Sequence, residues 1–177
     1  MVAPLLSWDA RRGGTLYLEG TTASICVGDQ WARIHGAPWR PRPNDWTQGS
    51  PTRPSVTNAQ GHKRSSAFGV RENAIARYWD TIPPRTDVLI THVPAYEVLD
   101  MIEETPTSDA LRIGCGHLRT RLQRMRAEGI GPQLHIFGHV HDPGGQHVVT
   151  AEGIRAHNVA ICDANYNPTH QPQVIDL

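Results

Sequence analysis

Three histidines follow two short apolar segments and are the residues best suited to chemistry. His92 comes directly after Val88-Leu-Ile-Thr91, while His139 and His141 follow Leu134-His-Ile-Phe137. Ligand sites in open α/β sheets collect at the carboxyl ends of the strands, so the three imidazoles are expected to converge. The i, i+2 spacing directs His139 and His141 to one side, and Gly138 is expected to relieve a Cβ clash in the turn. Neutral imidazole binds Zn, Fe, Ni or Cu and is tolerated in Mn sites. The competing interpretation is three ordinary hydrogen-bonded residues at strand ends.

The elements that would position these histidines alternate between strand and helix, which favours an α/β fold. Apolar residues at helical spacing predict a helix from Val70 that ends before Pro83-Pro84 and a second through Leu118, Leu122 and Met125, with Gly129 as its stop. Upstream, Gly28-Asp29 between two β-type segments predicts a hairpin turn. Further strands are expected at 15–18, 87–92, 134–137, 158–162 and 173–177.

Length, charge and cysteine content exclude several classes of protein. The 177 residues suit a single domain covering 1–177, and 17 basic side chains balance 17 acidic ones, so nucleic acid is not the default ligand. No apolar run approaches the roughly 18 residues of a membrane helix, and Met1 to Trp8 lacks a basic leader region. Three widely spaced cysteines indicate neither a disulfide framework nor a thiolate zinc site. We therefore expect a cytoplasmic protein without a membrane segment.

A long loop at 36–66, rich in Pro, Gly and Arg, interrupts the pattern. Its prolines forbid a continuous helix or central strand, and loops of this length usually serve as functional walls or lids. Trp39, Asn44 and Trp46 in this loop, together with Asn158, are candidate substrate-binding residues, since an indole can stack on a nucleobase. Simple loop packing is the equal alternative.

The motif T-H-x-P at 91–94, followed by F-G-H-x-H at 137–141, resembles the last two motifs of the calcineurin-like metallophosphoesterases. The likeness extends to Ile34-His-Gly-Ala-Pro-Trp39, Trp46, Gly114-Cys115 and 158–177, and covers most of the chain from about Leu16. These segments are similar to the subgroup of metallophosphoesterase-domain proteins that act on phosphodiesters, including cyclic nucleotides.

The resemblance implies a four-layer α/β/β/α sandwich with two metals, commonly Mn, Fe or Zn. It assigns His92 and His139 to one metal and His141 to the other, and two such cations would activate a bridging water. The family's upstream D-x-H and G-N-H motifs, which help to supply its carboxylates and the acid/base histidine, are absent from this sequence. Gly28-Asp29 matches the letters of the family's G-D motif, but it has no G-N-H downstream and is interpreted as the hairpin turn. The chain thus resembles the C-terminal part of the domain, lacking its first strands and its catalytic acid/base. At most one metal is expected here, because three neutral imidazoles cannot offset the repulsion of two dications.

Two functions follow from this resemblance. The first is a metal-dependent phosphoesterase that hydrolyses a phosphodiester or phosphomonoester of a small, nucleotide-like substrate. The second is a catalytically impaired remnant that acts as a binding module or is complemented by a partner. Missing strands would leave the 88–90 and 134–137 strands with an unpaired or uncovered edge, which favours a protein partner or self-association.

Overall fold

The computed structural model describes residues 5–8, 15–27, 29–42, 68–103 and 110–177. Its elements in chain order are β1 (Leu5–Trp8), β2 (Thr21–Val27), β3 (Gln30–Ala37), β4 (Arg40–Pro41), β5 (Gly69–Val70), α1 (Glu72–Trp79), β6 (Val88–Thr91), β7 (Met101–Ile102), β8 (Leu111–Arg112), α2 (Gly116–Ala127), β9 (Leu134–Phe137), β10 (His147–Val149) and β11 (Arg155–Asn158). Most of the 36–66 loop lies outside the described residues.

Among the described residues, seven strands form one sheet in the order β1-β2-β3-β6-β9-β11-β10. The β1–β2, β3–β6, β6–β9 and β9–β11 pairs are parallel, whereas β2–β3 and β10–β11 are antiparallel. The described residues therefore form a mixed α/β structure around a mostly parallel sheet, in agreement with the predicted α/β class. No helix among the described residues is long and apolar enough to cross a bilayer.

The predicted hairpin is confirmed. Strands β2 and β3 pair from Thr21 opposite Gly36 to Val27 opposite Gln30, so Asp29 lies in a tight connection. The strand expected at 15–18 is wrong: this segment forms no strand, and Leu18 lies against Gly36 near the end of β3. Gly36 has its backbone so close to Leu18 that an added Cβ would lie 2.9 Å from the Leu18 carbonyl oxygen.

Strands β6 and β9 are interior strands, which corrects the expectation that they form an unpaired edge. β6 lies between β3 and β9, and β9 lies between β6 and β11. The sequence-based expectation assumed that strands were missing next to them. The described residues contain the partners β3 and β11, and among those residues the sheet ends at β1 and β10.

Both predicted helices are confirmed, and their apolar residues pack on one face of the sheet. Ile75 and Trp79 of α1 are buried, as are Leu118, Leu122 and Met125 of α2. They share one core cluster with Ala37, Leu89, Phe137 and Ala156 from the central strands. Helix α2 ends as predicted before Gly129, whose φ of 68° is a left-handed conformation that glycine adopts without strain.

The opposite face of the sheet is less covered. Side chains alternate between faces along a strand, so Leu89 and Ile90 point to opposite sides. Leu89 is fully buried, but Ile90 is 39% exposed at the centre of the sheet. The described residues therefore leave part of an apolar sheet surface open to solvent.

The two C-terminal strand predictions are wrong in position. The last strand of the sheet is Arg155–Asn158 rather than 158–162, and no strand forms at 173–177. A turn at Gly153, with φ of 76°, joins β10 to β11 and sets the earlier start. At 173–177 both Val174 and Leu177 are exposed, so this segment has no apolar face to bury.

Candidate functional site

A cleft opens where the central parallel strands end, as the strand-end argument predicts. Its cavity has a volume of about 560 Å³. His92 follows β6, His139 and His141 follow β9, and Arg40 comes from the segment after β3. All four of these residues line the cavity, together with Ile102, Val140, Asp142, Ala164 and Tyr166. The structure thus brings the three predicted histidines to one cleft.

His92 and His139 are in direct contact. Their ring centroids are 4.6 Å apart with an interplanar angle of 54°. The two strand ends are also tied through the backbone, since the Gly138 N–H donates to the His92 carbonyl oxygen over 3.2 Å. This link fixes the spacing of the turns after β6 and β9.

The backbone conformation of the turn differs from the expectation. His139, not Gly138, has the left-handed conformation, with φ of 71°. A Cβ added to Gly138 would meet no heavy atom nearer than the Ala160 nitrogen at 4.0 Å. The expected steric need for glycine at 138 is therefore wrong. The strain lies at His139, and a non-glycine residue held in this region is a feature that often accompanies a functional site.

His141 has a fixed orientation in the cleft. Its Nδ1 lies 2.8 Å from the Asp163 carbonyl oxygen, and its ring packs edge-on against Tyr166 at 4.9 Å. A carbonyl oxygen can only accept, so Nδ1 carries the proton and Nε2 of the neutral ring keeps its lone pair. Such a contact to the second ring nitrogen is typical of histidines that bind metals.

The cleft favours neutral imidazoles. Burial lowers the pKa of His139 to about 3, with further lowering by His92, Arg40 and His141. Burial also lowers the pKa of His92, assisted by Arg40 and His141. Both rings are unprotonated at neutral pH and can accept a hydrogen bond or donate a lone pair to a cation.

Arg40 is a cleft residue that the sequence analysis missed. Its backbone N–H donates to the Phe68 carbonyl oxygen over 3.1 Å, which pairs β4 with β5 and places Arg40 beside the histidines. Burial lowers the pKa of its guanidinium, although an arginine remains charged at neutral pH. A guanidinium suits phosphate oxygens. The sequence feature that could have identified Arg40 is its position directly after Pro38-Trp39, in a loop that was already expected to form a wall of the cleft.

The donor set does not fit a two-metal centre. Within the described parts of the chain, no three or more His, Cys, Asp or Glu side chains are arranged to hold a metal ion. Asp142, the carboxylate that lines the cleft, already accepts the Glu103 N–H at 2.7 Å. Two dications at short range need anionic ligands between them, which these imidazoles do not provide. The imidazoles are chemically suitable donors, but they do not complete a coordination shell here.

Two further predicted site residues, Trp39 and Asn158, do not line the cleft. Trp39 packs against Tyr78 and Phe68, with ring centroids at 4.6 and 5.9 Å, and is not among the residues that line the cleft. Asn158 is fully buried. Its amide donates to the Val140 carbonyl oxygen and accepts from the Ala160 N–H, so it holds the 138–141 turn in place. Asn44 and Trp46 lie outside the described residues.

Sequence similarity to known proteins bears on the family of this chain. No family model matches the chain. It is 33% identical over 163 residues, 92% of its length, to metallophosphoesterase domain-containing protein 1 of Homo sapiens and of Mus musculus, covering 40% of each. It is 28% identical over 146 residues, 82% of its length, to a UPF0046 protein of Caenorhabditis elegans, covering 42% of that protein. The chain thus spans about two fifths of the length of these curated relatives. The similarity supports a metallophosphoesterase family.

Proposed function

We propose that this chain forms the phosphate-binding part of a metallophosphoesterase site and that the site hydrolyses a phosphodiester or phosphomonoester of a small, nucleotide-like molecule. The observation that carries the proposal is the convergence of Arg40, His92, His139 and His141 in one cleft at the strand ends. A permanent cation beside neutral imidazoles is suited to an anionic substrate.

Six of the nine residues that line the cleft have a defined role in this proposal. Arg40 binds the phosphoryl oxygens and orients the ester. His92 and His139 remain neutral because they are buried, and their rings lie in a desolvated place where electrostatic interactions are strong. His141 offers Nε2 because Asp163 holds its Nδ1 proton. Tyr166 and Ile102 line the cavity and give it partly apolar walls.

The name of the relatives implies use of a divalent metal, and His92, His139 and His141 are the donors that we propose for Mn, Fe or Zn. When bound, such an ion would supply Lewis-acid chemistry. The described residues do not complete its coordination shell, so we derive no catalytic step through it. Further ligands would have to come from residues outside the described ranges or from another chain.

We also propose that the open face of the sheet, around Ile90, packs against a second sheet. Two sheets face to face bury their inner surfaces against each other, and this would give the four-layer sandwich that the family resemblance implies. The 39% exposure of Ile90 beside a fully buried Leu89 supports the arrangement.

A non-catalytic binding module is the second candidate. It is favoured by the absence of a three-ligand metal group among the described side chains. In that case Arg40 and the histidines bind a phosphorylated ligand, and no ester is hydrolysed.

The first prediction separates these two functions. We expect the purified chain with added Mn²⁺ to hydrolyse bis(p-nitrophenyl) phosphate, and we expect His139→Asn to reduce the rate at least about 100-fold, the usual scale for a lost catalytic contact. Asparagine tolerates the left-handed backbone at 139, so the fold is retained. Release of p-nitrophenolate and metal content by mass spectrometry are the readouts.

The control is His117→Asn, at an exposed histidine that pairs with Glu72 away from the cleft. It should leave the rate unchanged. Binding of phosphate or nucleoside monophosphate without turnover, lost in Arg40→Gln but kept in Arg42→Gln, would support the binding module. If the chain showed no turnover and no phosphate binding, both candidate functions would be refuted.

A further inference from the structure

A second pair of histidines lies at the edge of the sheet, apart from the residues that line the cleft. His147 of β10 and His157 of β11 are directly opposite each other in the antiparallel pair. Their rings are stacked, with centroids 5.1 Å apart and an interplanar angle of 14°. Side chains opposite each other in such a pair share one face of the sheet. Both imidazoles therefore stand side by side on the same surface.

Gln173 fixes the proton position on His157. The Gln173 amide nitrogen donates to the Asn158 carbonyl oxygen over 2.8 Å, which orients the amide. The Gln173 Oε1 therefore faces Nδ1 of His157, also at 2.8 Å, and an amide oxygen only accepts. Nδ1 must carry the proton, so Nε2 of the neutral ring keeps a free lone pair.

This arrangement has the features of a metal ligand with its supporting contact. Histidines that bind metals usually donate their other ring nitrogen to an oxygen, which fixes the tautomer and the ring orientation. His147 is exposed and His157 is half-buried, so a small ion can reach both rings from solvent. The antiparallel pairing holds their backbones at a fixed distance, and only a side-chain rotation is needed for the two Nε2 atoms to approach one ion.

We propose that His147 and His157 form a two-imidazole binding site for a divalent transition-metal ion such as Zn²⁺, with water completing the shell. Imidazole nitrogen suits Zn, Ni and Cu, and Mg or Ca prefer oxygen ligands. Arg155 lies on the same face two residues before His157, and its charge opposes a cation. The site is thus expected to bind more weakly than a buried structural zinc site.

The test is a Zn²⁺ titration of the chain followed by NMR of the imidazole nitrogens. We expect saturable shifts of the Nε2 signals of His147 and His157, with the Nδ1 signal of His157 remaining that of a protonated nitrogen. His147→Ala should abolish the saturable shift of His157. Gln173→Leu should weaken Zn²⁺ binding at this pair about tenfold, the usual cost of removing a supporting contact.

His117→Ala is the matched control, since it removes another partly exposed histidine without affecting the pair, and it should leave the titration unchanged. His147 is on an exposed edge strand, so its substitution is compatible with folding, and circular dichroism of each variant checks this. The proposal is overturned if neither ring shifts up to about 1 mM Zn²⁺, the weak end of specific affinities. It is also overturned if the His157 shift persists in His147→Ala. The cleft histidines report separately in the same spectra, so failure here leaves the proposed function unaffected.

Discussion

At the scale of single residues, Gly114 and Gly138 have different steric roles. A Cβ on Gly114 would lie 2.6 Å from the Ala95 carbonyl oxygen and 2.8 Å from Asp100 Oδ2. Asp100 is fully buried and accepts from Arg112, so it has no room to move. Gly138 has open space around it and no left-handed φ. The turn that carries the histidines therefore does not depend on glycine at 138.

Gly138→Ala and Gly114→Ala are consequently expected to differ in stability. Gly138→Ala should change the free energy of unfolding by no more than about 0.5 kcal/mol, as for an unstrained substitution. Gly114→Ala should cost at least about 2 kcal/mol, because backbone must shift to relieve overpacking. Urea unfolding of both variants measures the difference. Equal losses would show that the turn at 138 is as crowded as the loop at 114.

The sequence predicted which histidines reach the cleft but not how the turn holds them. His92, His139 and His141 could be selected because each closely follows an apolar strand, and the carboxyl ends of neighbouring parallel strands lie at the same edge of the sheet. Arg40 was missed because its place depends on pairing between β4 and β5 across the long loop, which no local pattern reveals. Asn158 was expected near substrate, whereas its amide donates to the Val140 carbonyl oxygen and accepts from the Ala160 N–H.

At the scale of elements, helix α2 is attached to the rest of the structure through its arginines and Gln123. Arg119 forms an ion pair with Glu152 at 2.9 Å, Gln123 donates to the same carboxylate, and Arg126 donates to the Glu152 carbonyl oxygen. Arg124 pairs with Asp80 at 2.6 Å, joining α2 to the end of α1. These contacts differ in exposure, and exposure determines how much an ion pair contributes.

Glu152→Gln should destabilise the protein more than Asp80→Asn. The Arg119 and Glu152 side chains are 19% and 16% exposed, whereas those of Arg124 and Asp80 are 52% and 55% exposed. We expect a loss of about 1–2 kcal/mol for Glu152→Gln, because one carboxylate serves two donors in a partly desolvated place. Asp80→Asn should cost less than about 0.5 kcal/mol. Thermal unfolding at low and high salt tests this, and a larger loss for Asp80→Asn would contradict it.

Elements with a clear pattern of apolar residues were predictable from the sequence. Elements that depend on which strands pair with each other were not. Helices α1 and α2 and strands β6 and β9 formed where the pattern placed them, because each buries its apolar side in the core. β10 escaped prediction because His147, Val148 and Val149 are all exposed and do not alternate. The edge assigned to β6 and β9 was wrong because the neighbours of a strand depend on contacts between distant segments.

For the whole molecule, two neutral histidines are buried on the face of the sheet that packs against α1 and α2. His35 lies opposite Leu89, which in turn lies opposite His135, so the two imidazoles flank one buried leucine in a single row. His35 contacts the Thr22 hydroxyl at 2.8 Å. His135 Nε2 lies 2.8 Å from the Thr91 hydroxyl, whose own proton goes to the Val93 carbonyl oxygen. Both rings are therefore accommodated in the core in their neutral form.

Acid is consequently expected to destabilise the protein in part through these two residues, alongside the cleft residues His92 and His139, whose pKa values are also lowered by burial. Burial lowers the pKa of His35 to about 4 and that of His135 to about 3, against 6.5 when the chain is unfolded. Below pH 6.5 these histidines bind protons in the unfolded chain but not in the folded chain. Their contribution to the free energy of unfolding is therefore fully present above pH 6.5 and is lost as the pH falls towards 4. The slope approaches about 1.4 kcal/mol per pH unit for each histidine.

Urea unfolding between pH 7.5 and 4.5 measures this slope, and matched variants assign it. His35→Gln and His135→Gln should each remove about half of the contribution made by the pair, because glutamine does not titrate. Thr22→Val is the control: it keeps the imidazole of His35 but removes its hydroxyl partner, so it should lower stability at every pH while the steep loss below pH 6.5 remains. A slope that neither glutamine substitution reduces would contradict this assignment and place the acid-sensitive groups elsewhere in the chain.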